Sequence, residues 1–364
     1  MARHGLADGK VRWYERLPVP PAVLVLCLAI VVGVGIWGIA GILASPHEAD
    51  PPNSAGLSEP KDGPAADEEP GLTFAQDAVD AASGTMDINL FSALDGTSEV
   101  LADDRVAAVE KAIEGFAAQG YQTGFVVLDL STGRGIGYNA DTEFFCASTI
   151  KAPFVTFLHQ ELLDSGEISL LDELEKDVEI GGTGVMIDED DEVYALEEVL
   201  TDTIVYSDNI GYAMLREHYE GPDWDEWTIA AGVPQGISVE GYYPFCSAKD
   251  LAQYWLAIES YLSTDTAGAS RVKSLLGSTE TSFLREALGS GAEVYAKAGF
   301  EMDSEYDDLG ALNEAGIVSG PAGDYLIVVM SDADFDDEWM TDNAALITDL
   351  IEALDALHAD VLAE

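Results

Sequence analysis

Residues 144–153 read FFCASTIKAP, with Ser148 and Lys151 separated by Thr149 and Ile150. If Ser148 opens a helix, Lys151 falls one turn further along the same face, so its amine can lie beside the serine hydroxyl. A serine hydroxyl is a weak nucleophile until a neighbouring base takes its proton. A lysine can be that base only when burial and nearby cations depress its pKa. Taken alone, the pair also fits a helix-capping serine followed by a solvated lysine.

Two further motifs follow in order. Tyr206-Ser207-Asp208-Asn209 comes after the helical run LEEVLTDTIV, so Ser207 and Asn209 would project from a turn between helices. Ser207 could then shuttle a proton between the lysine and a leaving nitrogen, and the Asn209 amide could grip a substrate carbonyl; the competing reading is an ordinary polar helix cap. Lys297-Ala298-Gly299 sits in VYAKAGF, a strand pattern. A lysine on a sheet edge facing a cleft supplies positive charge and a glycine lets substrate approach the backbone. The N–H of Phe300 could pair with that of Ser148 as an oxyanion hole. A plain surface strand lysine is the alternative.

Ser-x-x-Lys, Ser-Asp-Asn and Lys-Thr-Gly, in that order, are the signature of the penicillin-recognising serine enzymes, the class A β-lactamases and penicillin-binding proteins. This chain resembles class A from Asp104 to Leu357. Gly181-Gly182-Thr183-Gly184-Val185 is similar to the family's glycine turn before the second motif. Ser247-Ala248-Lys249-Asp250-Leu251-Ala252 resembles its Thr-Pro-Arg-Asp-Leu-Ala helix start, and Asn313-Glu314-Ala315-Gly316-Ile317-Val318 its penultimate strand. Arg285, Leu288 and Gly291 stand at family-like distances before Lys297. The resemblance implies an α+β, β-lactamase/transpeptidase-like fold and an acyl-enzyme on Ser148. Lys151 would be the general base and Ser207 the relay, with Asn209, Lys297, Gly299 and Phe300 binding substrate. Cys146 and Cys246 precede helix starts that lie close together in the family fold, so a disulfide is expected in preference to two buried thiols.

Three departures stand out. Class A enzymes activate the deacylating water with a glutamate on an omega loop carrying Glu-x-x-Leu-Asn. Between Gly232 and Ser247 this chain has only VPQGISVEGYYPFC, in which Glu240 is the one carboxylate to recruit. Ala298 replaces the Thr that would hydrogen-bond a substrate carboxylate. No Lys or Arg follows Lys297, so the late-strand arginine that pairs with that carboxylate is gone. One lost charge-assisted contact costs about 1.5 to 3 kcal/mol. Weak action on classical penicillins is therefore expected. The alternatives are a D,D-peptidase-like penicillin-binding protein and a non-catalytic cell-wall-associated module.

Around the motifs, Val106, Val109, Ile113 and Phe116 recur at helical spacing up to Gly120, and TGFVVLDL and GIGYN read as a hairpin. Helical segments are read at Ser148–Ser165, Leu196–His218 and Ala248–Tyr261. Strands are read at Val294–Ala298, Ala315–Ser319 and Tyr325–Ser331, before a closing helix at Asn343–Leu357. Strands at both ends with helices between suggest one antiparallel sheet, edged by the two chain ends, with an all-helical insertion.

Upstream, Leu17 to Pro46 carries no charge, and Ala22 to Ala44 is almost wholly apolar, long enough to span a bilayer. Arg3, Lys10, Arg12 and Arg16 precede it, so the N-terminus is expected in the cytoplasm and the remainder outside. A long cleavable signal peptide, with Gly38-Ile39-Ala40 as its cleavage site, is the competing reading, whereas a lipoprotein signal ending at Cys27 is disfavoured because Leu26 is too bulky before a lipidated Cys and the apolar run continues past it. The expected organisation is a cytoplasmic tail at 1–17, a transmembrane anchor at 18–44, a disordered acidic, Pro-rich linker at 45–100 and the hydrolase domain at 101–364.

The 364 residues include 68 acidic and 16 basic side chains, a net charge of -52. So few cations argue against nucleic acid as a partner, leaving a β-lactam or cell-wall peptide-like substrate and, through the N-terminal helix, the membrane. No cofactor or metal is expected. The run Asp332 to Glu338 resembles half a calcium loop, but Asp337 stands where Gly is required and Asn343 where Glu would close it, so it reads as a solvated acidic turn.

Overall fold

The computed structural model describes residues 87–363, apart from 102–103, 235–236, 238–240, 302–308 and 336–341. Seven of its strands pair antiparallel in one sheet. They are β1 (Asn89–Ser92), β2 (Ser98–Val100), β3 (Thr123–Asp129), β4 (Arg134–Tyr138) and, after four short strands, β9 (Glu293–Phe300), β10 (Leu312–Gly320) and β11 (Gly323–Ser331). Their order is β2-β1-β4-β3-β11-β10-β9.

The sheet separates two cores, which explains why its central strands are apolar on both faces. On β3, Val126 and Leu128 join one cluster while Phe125 and Val127 join the other. On β11, Leu326 and Val328 alternate with Ile327 and Val329 in the same way. Behind the sheet pack α1 (Ala107–Gln119), α8 (Phe283–Leu288) and α9 (Asp342–Leu357). Helix α1 ends where Gly120 takes φ 91°, the left-handed turn that glycine adopts without steric cost.

The front face carries the helical insertion. A 3-10 turn, Ala147–Ile150, runs into α2 (Lys151–Phe157), which widens into a π turn at Leu158–Leu163. After it come α3 (Leu196–Val205), α4 (Asn209–Tyr219), α5 (Pro222–Ala230), α6 (Ala248–Leu262) and α7 (Ala267–Gly277). Phe154 and Phe157 of α2 pack on Trp224, with ring centroids 5.1 and 5.5 Å away, and Trp224 stacks on Tyr254 at 5.9 Å. Burying such side chains contributes about 1.5 to 3 kcal/mol each. This packing seats α2, and so Lys151, in the centre of the insertion. Ser247 and Asp250 form a reciprocal capping box that starts α6.

Four expectations need correction. The expected linker at 45–100 overlaps the sheet, because β1 pairs with β4 and Phe91 is buried against Gly135. Ile88 and Leu90 face the rear core and Phe91 the front one, an apolar pattern that the surrounding Pro- and acid-rich composition conceals. The sheet's edges are β2 and β9, not the last strand, since β11 lies in the middle. The helical segment 196–218 is broken at Tyr206–Asp208, where Ser207 takes φ 55°. Helices α5, α7 and α8 had no strong periodic signal. The expected membrane anchor lies outside the described residues, and among those described no helix is long and apolar enough to cross a membrane.

Candidate active site

Three elements converge on Lys151. The 3-10 turn holds Ser148, 8% exposed, directly before it, and Ala147 sits at φ 45°, a conformation non-glycine residues rarely adopt. The turn is anchored on both sides. Thr149 Oγ1 donates to Cys146 O at 2.7 Å, and Cys146 N donates to Pro244 O at 2.9 Å. The short strands β5 (Glu143–Phe145) and β8 (Phe245–Ser247) pair beside it, and Cys146 is disulfide-bonded to Cys246, with Cα atoms 6.0 Å apart.

Lys151 is fully buried. Its Nζ lies 2.6 Å from Ser207 O, 2.7 Å from Asn209 Oδ1 and 3.4 Å from Ser207 Oγ; the Ser148 hydroxyl is not among its partners. Burial, then the neighbouring Lys297, push its pKa well below the ordinary lysine value, against a smaller opposing pull from Asp208. Among the described residues no carboxylate forms an ion pair with it. Instead the rings of Tyr243 and Tyr212 lie 5.6 and 5.8 Å from the nitrogen. The amine donates to all three of these oxygens, the longest contact being the one to Ser207 Oγ.

Ser207 is shared. Its Oγ lies 3.0 Å from Lys297 Nζ, whose other contact is Ala298 O at 2.9 Å. Burial lowers the pKa of Lys297 to about 7, with Glu314 opposing and Arg285 assisting. Asp208 explains the glycine turn that precedes it in sequence. Its carboxylate accepts from Val185 N at 2.6 Å, Met186 N at 2.8 Å and Gly211 N at 2.9 Å. Gly184, at φ 130°, lies so close to that carboxylate that no Cβ would fit. Asn209 is held at both ends of its amide, with one Nδ2 hydrogen left for a ligand: Nδ2 donates to Gly181 O at 2.9 Å, and Oδ1 accepts from Lys151 and, at 2.7 Å, from the Tyr243 hydroxyl.

Strand β9 closes the site. A Cβ on Gly299 would fall 2.7 Å from Cys146 O and Thr149 N and 2.9 Å from Ser148 N, so glycine here lets the strand dock on the turn that bears Ser148. Glu301 N donates to Ala311 O on the chain leading into β10. By the alternation of an antiparallel ladder, the N–H of Phe300 then points off the free edge, toward the turn bearing Ser148 N. Ala298 is buried in the cluster behind the sheet. It therefore contacts core, and the expected loss of a substrate contact at 298 does not match the position of this side chain.

Ser148, Lys151, Ser207, Asn209, Lys297, Gly299 and Phe300 thus meet in one place. This arrangement of turn, helix break and edge strand has known counterparts. The model of the beta-lactamase enzyme family matches residues 105–354. The chain belongs to that family. Among solved structures, the fold resembles a beta-lactamase from Sphaerobacter thermophilus DSM 20745, with 20% identity and a TM-score of 0.58, covering 71% of this chain and 98% of that one. A beta-lactamase from Chitinophaga pinensis DSM 2588 is 22% identical with a TM-score of 0.58, over 70% and 99%. PBP-A is 22% identical with a TM-score of 0.56, over 68% and 93%, and a mutant of it is described as an acyl-enzyme complex with penicillin-G. None of the curated proteins compared with the chain matches it.

Within this beta-lactamase family fold, the segment before β8 supplies a residue that the motifs did not mark. Tyr243 lines the hollow in front of Ser148 together with Phe145, Asn209, Phe300 and Glu301. Burial drives its pKa upward, so it stays a neutral phenol. Glu240 lies outside the described residues. Thr183, from the family-like glycine turn, donates to Ser207 O at 2.7 Å, a contact that the motif did not specify.

Proposed function

We propose that the chain is an outward-facing, membrane-anchored serine hydrolase that forms an acyl-enzyme on Ser148. The observation that carries this is the placement of Ser207 Oγ between two buried lysine amines. Lys151, neutral because burial and Lys297 disfavour its charge, takes the Ser148 proton once that hydroxyl turns toward it, a contact of the kind that tightens only with substrate bound. Ser207 passes the proton to the leaving group, and the N–H groups of Ser148 and Phe300 hold the developing oxyanion. Asn209 and Lys297 orient the scissile amide or ester.

Release is expected to be slow on classical penicillins, because no omega-loop glutamate motif stands between Gly232 and Ser247. Tyr243, a neutral phenol beside Asn209 and Lys151, favours a second reading, a D,D-peptidase-like penicillin-binding protein whose acyl-enzyme persists. The full-length chain, incubated with a fluorescent penicillin and with an activated ester, separates the readings. Turnover dependent on Ser148 supports the hydrolase, a stable adduct absent from Ser148→Ala supports the penicillin-binding reading, and no label from either reagent leaves only a non-catalytic module.

A further inference from the structure

Two adjoining hollows open around Ser148 and Ser207, sharing Gly182, Thr183 and Phe300. The first is walled by the rings of Phe145, Tyr243 and Phe300 and bears Glu301; the second is walled by Tyr206 and bears Glu280 and Lys297. Among the described residues Lys297 is the one cation lining either, and it is 2% exposed, with its Nζ already engaged by Ser207 Oγ and Ala298 O. Three further cations of the domain are engaged by groups outside the two hollows. Arg285 binds the carbonyl and hydroxyl of Thr279, Arg271 pairs with Glu197 at 2.8 Å, and Lys249 pairs with Asp141 at 2.7 Å. An anionic group entering this cleft would leave water for two carboxylates and four aromatic rings, with no cation but the engaged Lys297 among the described residues that line it.

We propose that the cleft selects aromatic esters or amides that are uncharged or carry an ammonium group, and rejects their carboxylate-bearing counterparts. The assignment rests on the acyl-enzyme reading above and specifies its substrate class. Aromatic walls suit a flat apolar acyl group. Glu301 and Glu280 attract an ammonium and repel a carboxylate, and the net charge of -52 adds the same preference at longer range. The chemistry balances without a co-reactant. Ser148 Oγ bonds to the acyl carbon as the bond to the leaving oxygen or nitrogen breaks. The serine proton travels by Lys151 and Ser207 to that leaving atom, and water later cleaves the acyl-serine to the free acid.

Three p-nitrophenyl esters test this, built on one phenyl-bearing acyl scaffold with a neutral, a trimethylammonium or a carboxylate substituent at the same position. Acylation of the full-length chain is followed by nitrophenol release and by the mass of the Ser148 peptide, with Ser148→Ala as control. The neutral and ammonium esters are expected to acylate at least tenfold faster than the carboxylate ester, with the ammonium advantage shrinking in high salt. Glu301→Gln should narrow the gap between the ammonium and carboxylate esters, and Glu301→Lys should narrow it further. Acylation by the carboxylate ester at an equal or higher rate overturns the selectivity while leaving the serine mechanism standing. Failure of all three esters to label Ser148 overturns the acyl-enzyme reading and the selectivity with it.

Discussion

The phenol of Tyr243 donates a 2.7 Å hydrogen bond to Asn209 Oδ1, the same oxygen that receives the Lys151 amine. A residue from the segment before β8 therefore sets the amide that holds Lys151, the proposed general base. Tyr243→Phe removes one neutral hydrogen bond, worth about 1 kcal/mol, and should slow acylation about fivefold. Tyr243→Ala should also slow acylation but speed release, because it opens the space beside the Lys151 amine to water. Stopped-flow acylation and the lifetime of the labelled protein distinguish the two steps, and an unchanged lifetime in Tyr243→Ala would exclude a role for Tyr243 in retaining the acyl group.

Ser207 has a different signature. Among the described residues its hydroxyl is the only side-chain group contacted by both amines, so Ser207→Ala should break the proposed proton route while leaving Ser148 in place. Loss of a positioned proton carrier costs about 10²- to 10⁴-fold in rate. Acylation should fall by that order, and Lys151→Ala combined with Ser207→Ala should be little worse than either alone, since both act on one step. A fully additive double variant would show that Ser207 works separately from Lys151.

These residues were legible because each motif is local: a serine and a lysine one helical turn apart, a polar break between helices, a glycine after a strand lysine. Tyr243 was not, because its contact with Asn209 spans 34 residues and follows from how the segment before β8 lies on the insertion. The same holds for β1, whose pairing partner β4 begins at Arg134 and whose apolar face is only a few residues long. Ala298 failed in the opposite direction. Its motif position pointed to substrate, whereas the pleat of β9 turns the side chain into the rear core.

Stability should depend on pH through groups behind the site. Asp202 is 8% exposed, and burial, followed by repulsion from Asp208, raises its pKa to about 7. Glu314, held by Ser282 Oγ and Leu284 N at 2.9 Å, is also raised to about 7 by burial. Between the unfolded carboxyl value, about 4, and about 7, the folded chain keeps protons that the unfolded chain has lost. Its stability should therefore fall as pH rises through that window. Lys297, lowered to about 7, acts in the other direction above neutrality, where the unfolded chain keeps the proton longer. Asp202→Asn should flatten the fall in melting temperature between pH 5 and 7, and an unchanged slope would show that Asp202 ionises freely in the folded state.

The disulfide gives the last test, since it ties the nucleophile turn to the strand that follows Tyr243. Cys146 and Cys246 are 100 residues apart, and closing a loop of that size restricts the unfolded chain by about 4.7 kcal/mol in the chain-entropy account. Engineered and natural bridges more often deliver about 2 to 4 kcal/mol. Cys146→Ser with Cys246→Ser should lower the melting temperature by roughly 2 to 4 °C per kcal/mol lost for a domain of this size. Acylation should slow more than stability alone accounts for, because the bridge also presses together Ala147 at φ 45° and the Pro244 carbonyl that holds Cys146 N. Full acylation at a temperature where the double variant remains folded would mean that β5, β8 and Gly299 suffice to hold Ser148 in place.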